Sequence, residues 1–514
     1  MSDPVFVNPV LGGDRPDPAV IKVGDEYWMT YSSFESAPGL LLYRSPDLVN
    51  WTYSGSALAE PLGSTFAVDI AEVDGRFFIY IPFIPTPWSA VEEPAIFVVH
   101  ADSMEGPWSE PIDLGIRWAI DPGHVVGEDG KRYLFVNGVR RIALTDDGLA
   151  TVGELEHVYD GWRYPDEWVT EAYALEGPKL FWRGSAGRGF GAERQQAPDG
   201  WFYLVSAVGG TGGPPTGHMV IVARSRSVHG PWENSPHNPI ARTTDAAERW
   251  WSRGHATLVR GPGAGASARS PIEDGDWWMV SHGYENGYRT LGRQILLEPI
   301  AWTDDGWPVA GLHDIGGTLD APAGAGAQHP AIGFEDDFSA LRLGERWTFH
   351  APSPGEASRL RLDDGLVMAG KGSEPGDTSP LALVVGDHSY EVEVDLEVDG
   401  SEGGLLLFFN DRMFCGMGID GQRMLSYSGG RVTHWREPAP AVRRLQLRLR
   451  NDEHIVTGWY REPGGEWIRH GVRYEASGYH ANTMGDLLSL RPALYAAGDG
   501  SVRFRDFAYR PLSA

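Results

Sequence analysis

DPAVIKVGDEYWMTYSSFESAPGLLLYRSPDLVNW, residues 17–51, decides the fold. It opens on a short apolar run, turns at Gly24-Asp25, and continues as the alternating aromatic segment Glu26–Phe34. After a Pro-Gly turn a second apolar run ends on Asn-Trp. Period-2 alternation of aromatic and β-branched residues between Gly, Pro and Asp turns marks short strands. The same phrase returns as DGRFFIYIPF (74–83) with IFVVHADSMEGPW (96–108) and as DGKRYLFVNG (129–138) with RIALTDDG (141–148). It returns again as DGWFYLVSAVGG (199–210) with MVIVARSRSVHGPW (219–232), and as GDWWMVSHGY (275–284) with GRQILLEPIAW (292–302). Each of the five copies has chain enough for about four short strands, the size of one propeller blade. The reading is all-β, with a five-bladed β-propeller over residues 1–310. A tandem of β-sandwiches would not explain a motif that recurs five times and then stops.

Residues 311–332, GLHDIGGTLDAPAGAGAQHPAI, read as a linker. Beyond them YEVEVDLEV (390–398), GLLLFFN (404–410), RLQLRLR (444–450) and VRFRDFAYR (502–510) alternate again. Residues 333–514 are therefore expected to form a β-sandwich, a concanavalin A-like jelly roll.

Composition narrows the function. The chain has 514 residues, 43 Lys+Arg against 70 Asp+Glu, and a formal charge of −27. A nucleic-acid binder needs a basic footprint, so that class is excluded, and so is adhesion to an anionic membrane. No run is long and apolar enough to span a bilayer. The single cysteine, Cys415, leaves no intramolecular disulfide, and no basic-then-apolar leader opens the chain. A cytoplasmic location is the expectation, with homo-oligomerisation left open. The 20 tryptophans pack well in β-structure and also stack on sugar rings.

The residues that open each innermost strand lie nearest the propeller axis, where pockets form. In order these openings are Asp17-Pro18-Ala19, Ala67-Val68-Asp69, Asp121-Pro122-Gly123, Glu176-Gly177-Pro178 and His255-Ala256-Thr257. Asp-Pro and Glu-Gly-Pro are common turn sequences singly. Asp17, Asp121 and Glu176 at equivalent places in three repeats are harder to read as turns. Burial of clustered carboxyls raises at least one pKa, and a protonated acid beside an ionised partner is what glycoside hydrolysis uses. No His/Cys cluster has zinc spacing. GGTGGPP (209–215) lacks the lysine of a phosphate loop and reads as a blade loop.

RPDPAVIKVGDEYWMTYSSFESAPG followed by YRSPDLVNW resembles the N-terminal signature of glycoside hydrolase family 43, as do AIDPGHVVGEDGKRYL, ALEGPKLF and LGRQILLEP. The resemblance covers residues 8–310, and 333–514 resemble the sandwich of β-xylosidase-type members. It implies an inverting, exo-acting enzyme that releases a terminal pentose from oligosaccharides. A β-D-xylosidase leads; an α-L-arabinofuranosidase, or both activities, is the alternative. It also implies Asp17 as general base, Asp121 as the modulator of Glu176, and Glu176 as general acid. Arg293 would bind sugar hydroxyls and Phe34 would wall the subsite. The family's Trp-Ala-Pro-Asp is here Phe66-Ala67-Val68-Asp69, so Phe66 would be a smaller stacking platform. His255 would stand on the axis near substrate, and in some relatives the equivalent residue approaches Ca²⁺. No cofactor is expected for catalysis. A structural Ca²⁺ is considered near His255, or at Asp336-Asp337 with Asp506. A non-catalytic carbohydrate-binding propeller would keep Phe34 and Arg293 but need no acid, and a protein-interaction scaffold would need no acidic pocket at all.

Overall fold

The computed structural model describes residues 4–184, 199–262, 277–330, 332–433 and 442–512. Gly275 and Asp276, the turn opening the fifth repeat, lie outside them. Five antiparallel sheets correspond to the five repeats. The first is Ala19–Val23, Glu26–Thr30, Gly39–Ser45 and Thr52–Leu58, paired in chain order. The innermost strands of the other four are Asp69–Val73, Gly123–Val126, Glu176–Arg183 and Trp250–Arg260. The aromatic strand follows next in every case: Arg76–Ile84, Arg132–Val136, Trp201–Val208 and Trp277–Glu285.

Burial of the alternating side chains between neighbouring sheets drives the assembly. Leu42, Ile79, Ile81 and Phe97 share one cluster, and Phe181, Val205, Ala256 and Trp302 share another. The ring is closed by the N-terminal segment. Val5–Val7 pairs antiparallel with Thr318–Asp320, so the segment expected to be a linker holds a strand. The Val10 N–H then donates to Ile295 O (3.0 Å) and the Arg15 N–H to Arg293 O (2.8 Å). At the axis Thr257 Oγ1 donates to Pro18 O (2.8 Å), joining blades five and one beside Asp17.

In the C-terminal sandwich two long strands, Ser389–Asn410 and Arg491–Pro511, pair along their length. The first half of Ser389–Asn410 also pairs with Arg444–Asp452 and its second half with Met413–Ile419. Val392, Val394, Leu396, Leu405, Leu407, Leu447 and Phe504 face inward as one core. The sandwich docks on the propeller through strand pairing of Thr348–His350 with Ser36–Ala37, immediately after Phe34. Among the described residues no helix is long and apolar enough to cross a membrane.

Candidate active site

Asp17 and Asp121 each precede an innermost strand by two residues, and Glu176 is the first residue of one. Asp17 (φ 60°), Asp121 (φ 56°) and His255 (φ 48°) all hold left-handed backbone, a strained conformation for residues other than glycine. That twist leaves the strand direction at the axis. Strain recurring at equivalent blade positions is what a site held by its surroundings would show.

The side chains meet around one imidazole. His255 Nδ1 stands 3.5 Å from Asp17 Oδ1, and its Nε2 stands 3.3 Å from Asp121 Oδ2 and 3.9 Å from Glu176 Oε1. Gly177 is required here: a Cβ on it would come within 2.9 Å of the His255 ring, and its own φ is +60°. Its N–H donates to Asp121 Oδ2 (3.0 Å), so Asp121 reaches the neighbour of Glu176 and the shared histidine.

Asp17 is the most heavily held of the three. Ser32 Oγ donates to its Oδ2 (2.5 Å), and Arg293 Nη1 to its Oδ1 (3.1 Å). Its backbone N–H donates to His282 Nδ1 (3.0 Å). Burial pushes the Asp17 carboxyl up, but Arg293 and then His255 outweigh it and hold it well below the usual carboxylate range. Glu176 meets His255 at 3.9 Å but has no arginine at ion-pair distance among the described residues. Burial pushes it up to about 7; His255 opposes and Asp17 adds to the rise. Burial also raises Asp121, against the pull of His255. His255 itself is lifted to about 9, since Asp17 and Asp121 overcome its burial. The outcome at neutral pH is an ionised Asp17, an imidazolium at His255 and a Glu176 shared between its acid and carboxylate forms.

Arg293 is positioned by the closing segment: its N–H donates to Asp14 Oδ1 (2.9 Å). Its Nε and Nη2 are buried with no hydrogen-bond partner among the described residues. Its guanidinium lies 5.3 Å above the Phe34 ring, and Phe34 meets Phe66 edge-on at 5.1 Å. Phe34 also belongs to the sandwich core, so this wall is where the two units meet.

Asp121, Glu176 and His255 are the one group among the described residues with three ligating atoms within 4.8 Å of one another. They do not fit a divalent ion. Both nitrogens of His255 already face carboxylates and carry protons at neutral pH. A hard cation would want ~6–8 oxygens. At the second position considered for Ca²⁺ the three acids differ in role. Asp336 accepts from Trp347 Nε1 (3.0 Å) and from the Phe338 N–H (2.9 Å), while Asp337 and Asp506 are exposed and form no such group.

Sequence reasoning did not find Ser32, His218 or His282. His282 pairs in register with Gly254, just before His255, at the axis end of the fifth aromatic strand. The corresponding stretch of the first repeat supplies Ser32; comparing those strand ends across repeats was the available signal. His124 is structural. It is buried, stacked on Tyr80 at 5.5 Å, and its Nε2 accepts from Arg132 Nε (3.1 Å). Its backbone N–H donates to Asp69 Oδ2 (2.7 Å), whose other oxygen accepts from Lys179 Nζ (2.9 Å).

The axis of the propeller thus gathers one carboxyl held low, one raised to about 7 and an arginine with donors unpaired among the described residues. The model for Glycosyl hydrolases family 43 matches residues 6–308, and the chain belongs to that family. It is 30% identical over 372 residues to a non-reducing end alpha-L-arabinofuranosidase of Bacteroides ovatus, covering 68% of this chain and 62% of that protein. It is 31% identical over 344 residues to a xylan 1,3-beta-xylosidase of a Vibrio species, covering 59% and 56%. The chain thus spans under two thirds of the length of these two relatives. Its fold is similar to the GH43 BlXynB protein from Bacillus licheniformis, with a TM-score of 0.82 at 24% identity over 99% of this chain and 100% of that one.

Proposed function

We propose that the chain is an inverting exo-glycosidase that removes a terminal pentose from short oligosaccharides, with β-D-xylosides as the first substrate class and α-L-arabinofuranosides as the second. The observation that carries this is the placing of Asp17 and Glu176 on either side of His255, with Asp17 held low by its neighbours and Glu176 pushed up by burial. Asp17, ionised, is the base that takes a proton from water. Glu176, protonated, gives its proton to the glycosidic oxygen. Asp121 orients both Gly177, next to that acid, and His255. An imidazole ring between the two carboxyls favours the wider spacing of inverting enzymes, ~6.5–9.5 Å, which admits a water. The Nε and Nη2 of Arg293, unpartnered among the described residues, suit sugar hydroxyls, with Phe34 and Phe66 as the apolar wall.

The sandwich meets the propeller beside Phe34, and a second unit at that wall suits exo action. The names of the two relatives span both substrate classes and support the pair rather than a choice between them. A carbohydrate-binding propeller would gain nothing from one carboxyl held low and another raised. Cys415, alone and buried, suits a reducing compartment, and we include a cytoplasmic location in the proposal. The test is a panel of aryl β-D-xylosides and α-L-arabinofuranosides, with the anomer first released followed by NMR. Release with inversion on either sugar supports the reading; turnover of neither, or retention, overturns it.

A further inference from the structure

His218 is a buried titratable group for which the reaction above has no use. It directly precedes Met219–Ser225, in the same blade as Glu176 but two strands further out, and it is fully buried. Its Nε2 lies 3.5 Å from Glu176 Oε1. Neither ring nitrogen has a hydrogen-bond partner among the described residues. A buried polar group left this way is expensive unless it has work elsewhere in the cycle. The ring is seated closely: a Cβ on Gly254 would fall 2.2 Å from it. His282 and His255 lie beyond, with centroids at 5.3 and 6.0 Å.

We propose that His218 is a positioning residue for Glu176: in the free enzyme its Nε2 lone pair accepts the O–H of the Glu176 carboxyl and keeps that acid loaded, and the O–H turns from His218 to the glycosidic oxygen when the proton is given up. This rests on the reading of Glu176 as general acid. Burial, with His255 adding to it, pushes His218 down to about 3, so its ring is neutral and has one nitrogen free to accept. The Ser252 backbone acts on the ring in the sense that favours a proton there. A proton on Nδ1 leaves the lone pair on Nε2, facing the acid. At 3.5 Å the two atoms are not hydrogen-bonded in this structure, and the proposed bond closes as the site tightens. The charged groups around the pair are Asp17, His255, Arg293 and Glu171 about Glu176, with Asp121 reaching it through Gly177. Asp17, Arg293, His255 and His282 surround His218. An acceptor for the neutral acid raises its pKa; a donor to the carboxylate would lower it.

The test is the pH profile of kcat/KM, on one aryl pentoside with a poor leaving group and one with a good one, for wild type, Glu176→Gln, His218→Leu and His218→Gln. The alkaline limb of wild type should vanish in Glu176→Gln. In His218→Leu it should move about one unit to lower pH, with a roughly ten-fold loss on the poor leaving group at neutral pH and a smaller loss on the good one. His218→Gln, whose amide oxygen can accept the same proton, should restore the limb. A limb that stays put or moves up in His218→Leu, or equal losses on both substrates, overturns the inference. A limb that persists in Glu176→Gln overturns the reading of the acid instead. Should His218→Leu not fold, ¹⁵N-histidine spectra of wild type against His218→Gln decide. A neutral ring protonated on Nδ1 supports the inference, and one protonated on Nε2 overturns it.

Discussion

Arg293 Nη1 lies 3.1 Å from Asp17 Oδ1, and both side chains are buried although 276 residues separate them in the chain. A buried guanidinium beside a buried carboxylate fixes the charge state of the acid and its aim together. Arg293→Ala should release Asp17 from that hold. Its pKa would rise, so the acidic limb of the pH–rate profile should move to higher pH, with kcat/KM down roughly 10²–10³-fold. Arg293→Lys should recover part of the limb shift but little of the rate, because a point charge lacks the fork. An unmoved acidic limb in Arg293→Ala would show that another group sets it.

Removing the two acids should give different signatures. Asp17→Ala should be nearly inactive on every glycoside, because no leaving group replaces the base. Glu176→Ala should lose about 10²–10⁴-fold on natural glycosides and retain far more on substrates whose leaving group departs without protonation. Undiminished rates in both variants would remove the assigned roles.

Glu176 should also mark the stability curve. Its folded value is about 7 against an ordinary 4.5. The folded state therefore holds an extra proton between those pH values, and stability falls as pH rises through that window. Glu176→Gln should be more stable than wild type at pH 8, by on the order of 1–3 kcal/mol. The gap should close below pH 4.5, the ordinary value of the acid. Denaturant melts at both pH values would check this, and a pH-independent gap would contradict it.

Lys179 and Asp69 form a buried pair between blades four and two. Lys179→Met would strand Asp69, whose other oxygen holds the His124 N–H. The expected loss is about 3–5 kcal/mol, much of it regained in Lys179→Met with Asp69→Asn. Urea unfolding of the single and double variants would measure the coupling.

Asn482 of the sandwich grips both sides of Gly213: its Nδ2 donates to the carbonyl (2.8 Å) and its Oδ1 accepts from the N–H (3.1 Å). In the same glycine loop, the Gly212 N–H donates to Glu171 (2.7 Å), on the segment leading to Glu176. Asn482→Ala should raise KM several-fold with unfolding stability within ~0.5 kcal/mol of wild type. A change in stability alone would make the contact purely structural.

The five-bladed propeller was legible because each blade is written locally: a turn, an alternating aromatic strand, a second strand. The acids were legible for the same reason, since Asp17, Asp121 and Glu176 open the innermost strands of their repeats. His124 had no account in the sequence, as its role needs Tyr80 from blade two stacked on it. The linker residues showed no alternation, yet Thr318–Asp320 pairs with Val5–Val7, a partner more than 300 residues away.

The sequence by itself determined the repeat, the strand pattern and which carboxyls stand at equivalent places, because hydrophobic alternation and turn chemistry act over a few residues. Only the tertiary structure decided which acid is held low and which is raised. Protonation depends on neighbours at 3–4 Å, and Arg293, His255, His218 and His282 arrive beside the acids from other strands once the ring has closed.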